Sequence, residues 1–191
     1  MVIATGIQFG TLKTLGAEME RELTEGETKM FERFPLMFRA VRYPAEYRCS
    51  LGSWGLETGP GWYPIVETAA TAIELELQAM LASVATERLL VAADMLAMER
   101  LPDAMAPHED QPLLPYVVQV KEKLGTLVIY MRSGQLSYQH PEGWERIMNA
   151  VKVAEATSES TCETCGQPGK LRKQGGWWRT RCWACEKAVQ G

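Results

Sequence analysis

Two Cys-x-x-Cys pairs, Cys162 with Cys165 and Cys182 with Cys185, stand 16 residues apart near the end of this chain and constrain it more than any other feature. Thiols at that close spacing reach one ion from a single tight turn, and two such turns complete a tetrahedron. The spacing is that of a zinc ribbon and not of a secreted disulfide framework. Gly166 suits the sharp end of the first turn, because glycine accepts backbone angles that other residues resist. Between the pairs, "GKLRK", "QGG" and "WWRTR" read as strand, turn and strand, a hairpin that brings the second pair beside the first. The expectation is a Zn²⁺ ion held by Cys162, Cys165, Cys182 and Cys185, with a rubredoxin-like iron centre as the alternative. Four thiolates leave no open position for water or substrate, so the metal's role is structural. Its apparent binding free energy, on the order of 10–16 kcal/mol, would fold a module too small to hold itself together.

The charge is uneven. From Ser158 onward six basic residues face three acidic ones, giving +3 against a net charge of −4 for the whole chain, so the preceding part carries −7. Five of those cations, Lys170, Arg172, Lys173, Arg179 and Arg181, lie in the hairpin with no acid among them, together with Trp177 and Trp178. Three uses remain open for this basic aromatic set: nucleic-acid binding, protein contact, and a structural balance to the −2 of a metal with four thiolates. As strand neighbours, Trp177 and Trp178 face opposite sides, so one can be core while the other is exposed.

The chain is 46% apolar and 23% charged, a composition that supports a globular core. No run of about twenty apolar residues is present to span a bilayer, and the N-terminus lacks the basic start and apolar stretch of a secretory signal. A cytoplasmic protein with reduced thiols, and no membrane contact, is expected. The lone Cys49 reads as a small buried hydrophobe.

Along the chain, Thr11 to Phe34 favours helix, Pro35 and Pro44 interrupt it, and "FRAVRY" is a possible strand. Of Trp54 and Trp62, core positions are expected. From Ile65 to Met98 the pattern is helical. Ile73, Leu77, Met80, Leu81 and Val84 form one apolar stripe, Glu74 and Glu76 fall outside it, and a break is expected near Ser83 to Thr86. The proline-rich "LPDAMAPHEDQPLLP" reads as an exposed linker whose His108, Glu109 and Asp110 are solvated. A hairpin over Tyr116 to Met131 follows, then a helix from Pro141 with Trp144, Ile147, Met148 and Val151 on its packing face. The fold class is α+β: a helical N-terminal body with a β-hairpin and packed helix over residues 1–157, and a small basic zinc ribbon over 158–191.

No His-Glu-x-x-His helix, phosphate loop, Gly-x-Ser-x-Gly elbow or dinucleotide fingerprint occurs, so a non-enzyme without a small-molecule substrate is expected.

"VQVKEKLGTLVIYM" together with "CETCGQPGKLRKQGGWWRTRCWAC", and more loosely "ERFPLMF" and "GPGWYPIVETA", resembles a family of small, uncharacterised bacteriophage and prophage proteins. Its members pair a "VKEKFGGLRFY"-like segment with a C-terminal ribbon of the "CE.CG.PG.LR..GGW..T.C" kind. The resemblance runs from about Phe31 to Glu186. This chain departs from it at Leu124, Thr126, Val128 and Ile129 in the hairpin, at Cys185, where the family often has histidine, and in the acidic helical stretch Ile73 to His108. By analogy with small phage accessory proteins, the resemblance implies a host protein complex as partner, such as a CRISPR or other defence complex inhibited by contact. Glu74 and Glu76 would supply an acidic face that occupies a nucleic-acid site. The alternative is a nucleic-acid-binding accessory protein acting through the ribbon.

Overall fold

A computed structural model describes residues 22–43, 47, 49–88 and 112–188. Helix α1 (Glu25–Arg33) starts at Thr24, whose hydroxyl accepts from Glu27 N at 3.2 Å while Glu27 Oε2 accepts from Thr24 N at 2.8 Å. This reciprocal cap satisfies two amides that a helix start leaves without partners. The other oxygen of Glu27 accepts from Leu56 N at 2.7 Å, so a cap residue also anchors a distant turn. The earlier part of the expected helix, from Thr11, lies outside the described residues.

"FRAVRY" is not a strand. Arg39–Arg42 forms a short helix, α2, because Arg39 is fully buried and its guanidinium needs several acceptors converging on it. It donates to the carbonyls of Leu36 (2.8 Å), Pro115 (2.8 Å) and Leu114 (2.6 Å) and to the Tyr47 hydroxyl (3.2 Å). A buried cation is tolerable only when its donors are met in this way. Another short helix, α3 (Leu51–Trp54), leads to a 3-10 turn at Pro60–Trp62. Trp62 is core, as expected, whereas Trp54 is exposed.

Helix α4 (Tyr63–Arg88) runs for 26 residues through Ser83 to Thr86 without the expected break. The Ser83 hydroxyl bonds back to Met80 O at 2.7 Å and meets His140 Nε2 at 3.0 Å, so it clips α4 to a neighbouring helix start instead of capping a new one. Residues 89–111, including the rest of the expected helix and His108, Glu109 and Asp110, lie outside the described residues.

Strands β1 (Tyr116–Lys123) and β2 (Thr126–Arg132) pair antiparallel around a turn at Leu124 and Gly125, both with positive φ. A short helix α5 (Gln135–Gln139) precedes α6 (Pro141–Ser158), which packs on both α4 and β2. Ile147 and Val151 enter the core, with Trp144 packed against it. Both sheet edges are covered: Glu155 and Ser158 of α6 accept from Ile129 N and Leu127 N of β2, and Ser50 and Glu57 bond to β1. The last elements are β3 (Lys170–Gln174), β4 (Trp177–Arg181) and α7 (Trp183–Lys187), a second antiparallel hairpin and its helix. The architecture is α+β, as the sequence predicts. Among the described residues no helix is long and apolar enough to cross a membrane.

Candidate metal centre and its ribbon

The four sulfurs of Cys162, Cys165, Cys182 and Cys185 lie within 4.8 Å of one another, with Cys165 Sγ 3.6 Å from Cys182 Sγ. A tetrahedral ion with metal–sulfur bonds of about 2.3 Å sets its ligands about 3.8 Å apart, so the cluster fits one metal ion with small adjustment. Two tight turns build it. In the first, Gly166 N bonds to Cys162 O at 2.8 Å and Gly166 takes φ 75°, a left-handed value that glycine adopts without strain. In the second, Cys182 precedes α7 and its sulfur accepts from Cys185 N at 3.4 Å.

The thiols are electrostatically unequal. Burial raises the Cys162 thiol, but the backbone N–H groups of Cys182, Cys165 and Thr164 outweigh it and bring the group down to about 6. Cys185 is pushed up to about 12, first by its hydrogen bonds with Cys165 and Cys182. The Cys162 thiolate forms readily while Cys165 and Cys185 hold their protons against it; a cation at the centre removes that conflict. Cys49 is not among the four clustered thiols: it is half-buried, packs against the core, and burial raises its thiol.

The ribbon is seated on two turns of the body. A Cβ at Gly61 would overlap the Cys162 carbonyl and come within 2.5 Å of Gly166 N, so "GPGW" lies flat against the first cysteine turn. Gly61 N donates to Glu163 O at 2.8 Å, Gly59 N to Glu163 Oε1 at 3.0 Å, and the Trp62 indole N–H to Thr161 O at 2.7 Å. Burial raises the Glu163 carboxyl, an effect that the Gly59 amide opposes. On the other side, buried Thr180 donates to Gly125 O at 2.6 Å, and a Cβ at Gly125 would overlap the Leu171 side chain. Sequence reading missed this seat. Its only sequence signal is the glycines of "GPGW" and "LGT", which mark close backbone approach as well as turns.

Strand register sorts the basic aromatic residues. Cross-strand partners share a face, and the pairs are Lys170 with Arg181, Leu171 with Thr180, Arg172 with Arg179, and Lys173 with Trp178. Lys170, Arg172, Arg179 and Arg181 therefore share one face with Trp177. Leu171, Lys173, Trp178 and Thr180 occupy the face that meets the body. Arg172 pairs with Glu186 of α7, and Arg179 Nη1 lies 3.9 Å from Glu163 Oε2. The Arg181 Nε is buried without a hydrogen-bond partner. Lys170 and Lys173 are exposed. Trp177 and Trp178 face opposite sides, as adjacent strand residues must, but neither takes the core position that this leaves open to one of them: Trp177 is 71% and Trp178 40% exposed. They lie toward the tip of the hairpin, past Leu171 and Thr180, which meet Gly125 of the body.

Glu74 and Glu76 do not form an acidic face. Glu74 is only 5% exposed and accepts from Leu36 N at 3.0 Å and Met37 N at 2.9 Å, while burial raises its carboxyl. It binds the amides of the loop between α1 and α2, a task that needs its carboxylate inside. Glu76 is half-buried in a two-pronged ion pair with Arg146 at 2.6 and 2.9 Å. No protein-family model, curated protein or solved structure matches the chain.

Proposed function

We propose that this chain is a binding protein and not a catalyst, in which a zinc-stapled ribbon holds nucleic acid against its basic face. Zn²⁺ is the ion favoured by an all-thiolate tetrahedral site, and four thiolates leave it no catalytic position. The observation that carries the reading is the register that gathers Lys170, Arg172, Arg179 and Arg181 on one face with Trp177. Cations that follow a phosphate chain, beside an aromatic ring, are the parts of a nucleic-acid surface. Lys173 adds charge at the hairpin tip from the opposite face.

Inhibition of a host complex, such as a phage-encoded block of a CRISPR or other defence machine, draws on an acidic face at Glu74 and Glu76. With Glu74 buried and Glu76 paired with Arg146 at the surface, neither carboxylate stands as an unpaired exposed charge, and the ribbon becomes the better-supported surface.

The test is anisotropy of labelled oligonucleotides titrated with the zinc-loaded protein at several salt concentrations. Affinity is expected to fall steeply with salt. K170A/R172A/K173A should weaken binding to all sequences alike. Absence of binding at low salt defeats the reading. Capture of a stoichiometric protein complex that survives nuclease, in place of nucleic acid, returns the host-machine reading to first place.

A further inference from the structure

The ribbon carries three exposed tryptophans, and they are not equivalent. Lys173 Nζ lies 5.8 Å from the Trp178 ring centroid, and Lys187 Nζ lies 4.7 Å from that of Trp183. Each of these rings already has a cation over one face. Among the described residues no cation covers Trp177, although it is the most exposed of the three at 71%. It also sits beside the Gly175–Gly176 turn, where a Cβ on either glycine would meet nothing within 4 Å. Its ring therefore stands free at the tip of the hairpin, on the face that carries Lys170, Arg172, Arg179 and Arg181.

Resting on the nucleic-acid reading above, we propose that this face takes a single strand, with Trp177 as the stacking platform for an unpaired base and Arg179 and Lys170 along the backbone. The flat face of an indole needs the flat face of a base. In a duplex those faces are covered by the neighbouring pairs; in a single strand they are available. Arg179 stands two residues from Trp177 on the same strand face, roughly 7 Å along the chain, so a stacked base brings its backbone over the guanidinium. The arginines are also poorly placed to read base edges in a groove. Arg172 is engaged by Glu186 and the Nε of Arg181 is buried, so neither fork is free for two-pronged contact with guanine. The expected recognition is thus of single-strandedness and charge, with little dependence on sequence.

The experiment compares a labelled oligo-dT of about twenty nucleotides with a duplex of the same length, using the full zinc-loaded chain at low salt. The single strand should bind at least tenfold more tightly, and its binding should quench tryptophan fluorescence. Trp177→Ala should weaken single-strand binding roughly 5- to 150-fold, the range for loss of one stacked base, with metal content unchanged. Trp177→Phe should restore part of the loss, and Trp183→Ala should change it little. If duplex binds as well as single strand and Trp177→Ala has no effect, while K170A/R172A/K173A still weakens binding, the stacking proposal falls and the nucleic-acid reading stands. If neither probe binds the wild-type protein, both fall. If Trp177→Ala instead abolishes capture of a nuclease-resistant protein from a bacterial lysate, the face belongs to a protein and both are again overturned.

Discussion

Between α1 and α6 the chain closes over a continuous apolar core in which Phe31, Phe38, Trp62, Ile73, Leu77, Leu127 and Ile147 are all buried. Past Ser158 the only hydrophobic residue buried among those described is Cys162; Leu171, Trp177, Trp178 and Trp183 are all exposed. The body spends its large side chains on its own stability, and the ribbon displays them. A segment without a core can do so only if something else holds its shape, here the four-sulfur centre and the seat on Gly59 to Trp62 and Gly125. The polar groups divide in the same way. In the body the charges of Arg39 and Glu74 are buried and satisfied, whereas on the ribbon Lys170 and Lys173 remain in solvent.

Emptying the four-sulfur centre of the ion proposed for it should break the comparison most strongly. C162S/C165S, or a chelator on the wild-type chain, should abolish metal binding and strip hydrogen-exchange protection from Lys170 to Arg181. Loss of a structural site is worth on the order of 10 kcal/mol in apparent binding energy. The far-UV helix signal, carried by α4 and α6, should survive. If it collapses, the body depends on the metal too, and the two regions are one folding unit.

Next in size is Arg39→Ala, which leaves the carbonyls of Leu36, Leu114 and Pro115 without their donor and opens space in the core. A destabilisation of roughly 3–5 kcal/mol is expected from denaturant unfolding of the body, as for other buried charged networks broken on one side. Metal affinity should remain near wild type. A parallel drop in metal affinity would erase the distinction between a core-held body and a metal-held ribbon.

The smallest effect is expected from Gly61→Ala. Its Cβ would overlap the first cysteine turn, and forcing backbone apart there should cost about 1–3 kcal/mol, as overpacking does elsewhere. Competition with a chromophoric chelator should show weaker metal binding, with the melting of the body little changed. An unaltered metal affinity would mean that the seat does not support the metal centre.

The ribbon was legible because its constraints are local. A Cys-x-x-Cys pair needs only a turn, a Gly-Gly between two short basic runs needs only a hairpin, and both follow from spacing of a few residues. The hairpin at Tyr116 to Arg132 and the helix from Pro141 were readable for the same reason, from alternation and a first-turn proline. Errors arose wherever a polar residue's partner lay far away in sequence. Glu74 looks like a solvent residue beside an apolar stripe until the amides of Leu36 and Met37 arrive, 38 and 37 positions away. Ser83 looks like a helix start until His140 stands opposite it. "FRAVRY" resembles a strand until the carbonyls of Leu114 and Pro115 gather around Arg39.

By itself, then, the sequence determined that four thiols would converge, that a basic hairpin would lie between them, and that the remainder would be α+β. These follow from covalent spacing and side-chain period. Only the tertiary structure decided which carboxylates would be buried and that neither Trp177 nor Trp178 would become core. It also decided that the ribbon would rest on "GPGW" and Gly125. Each of those outcomes depends on what a distant segment brings within hydrogen-bonding or packing distance, which no local pattern encodes.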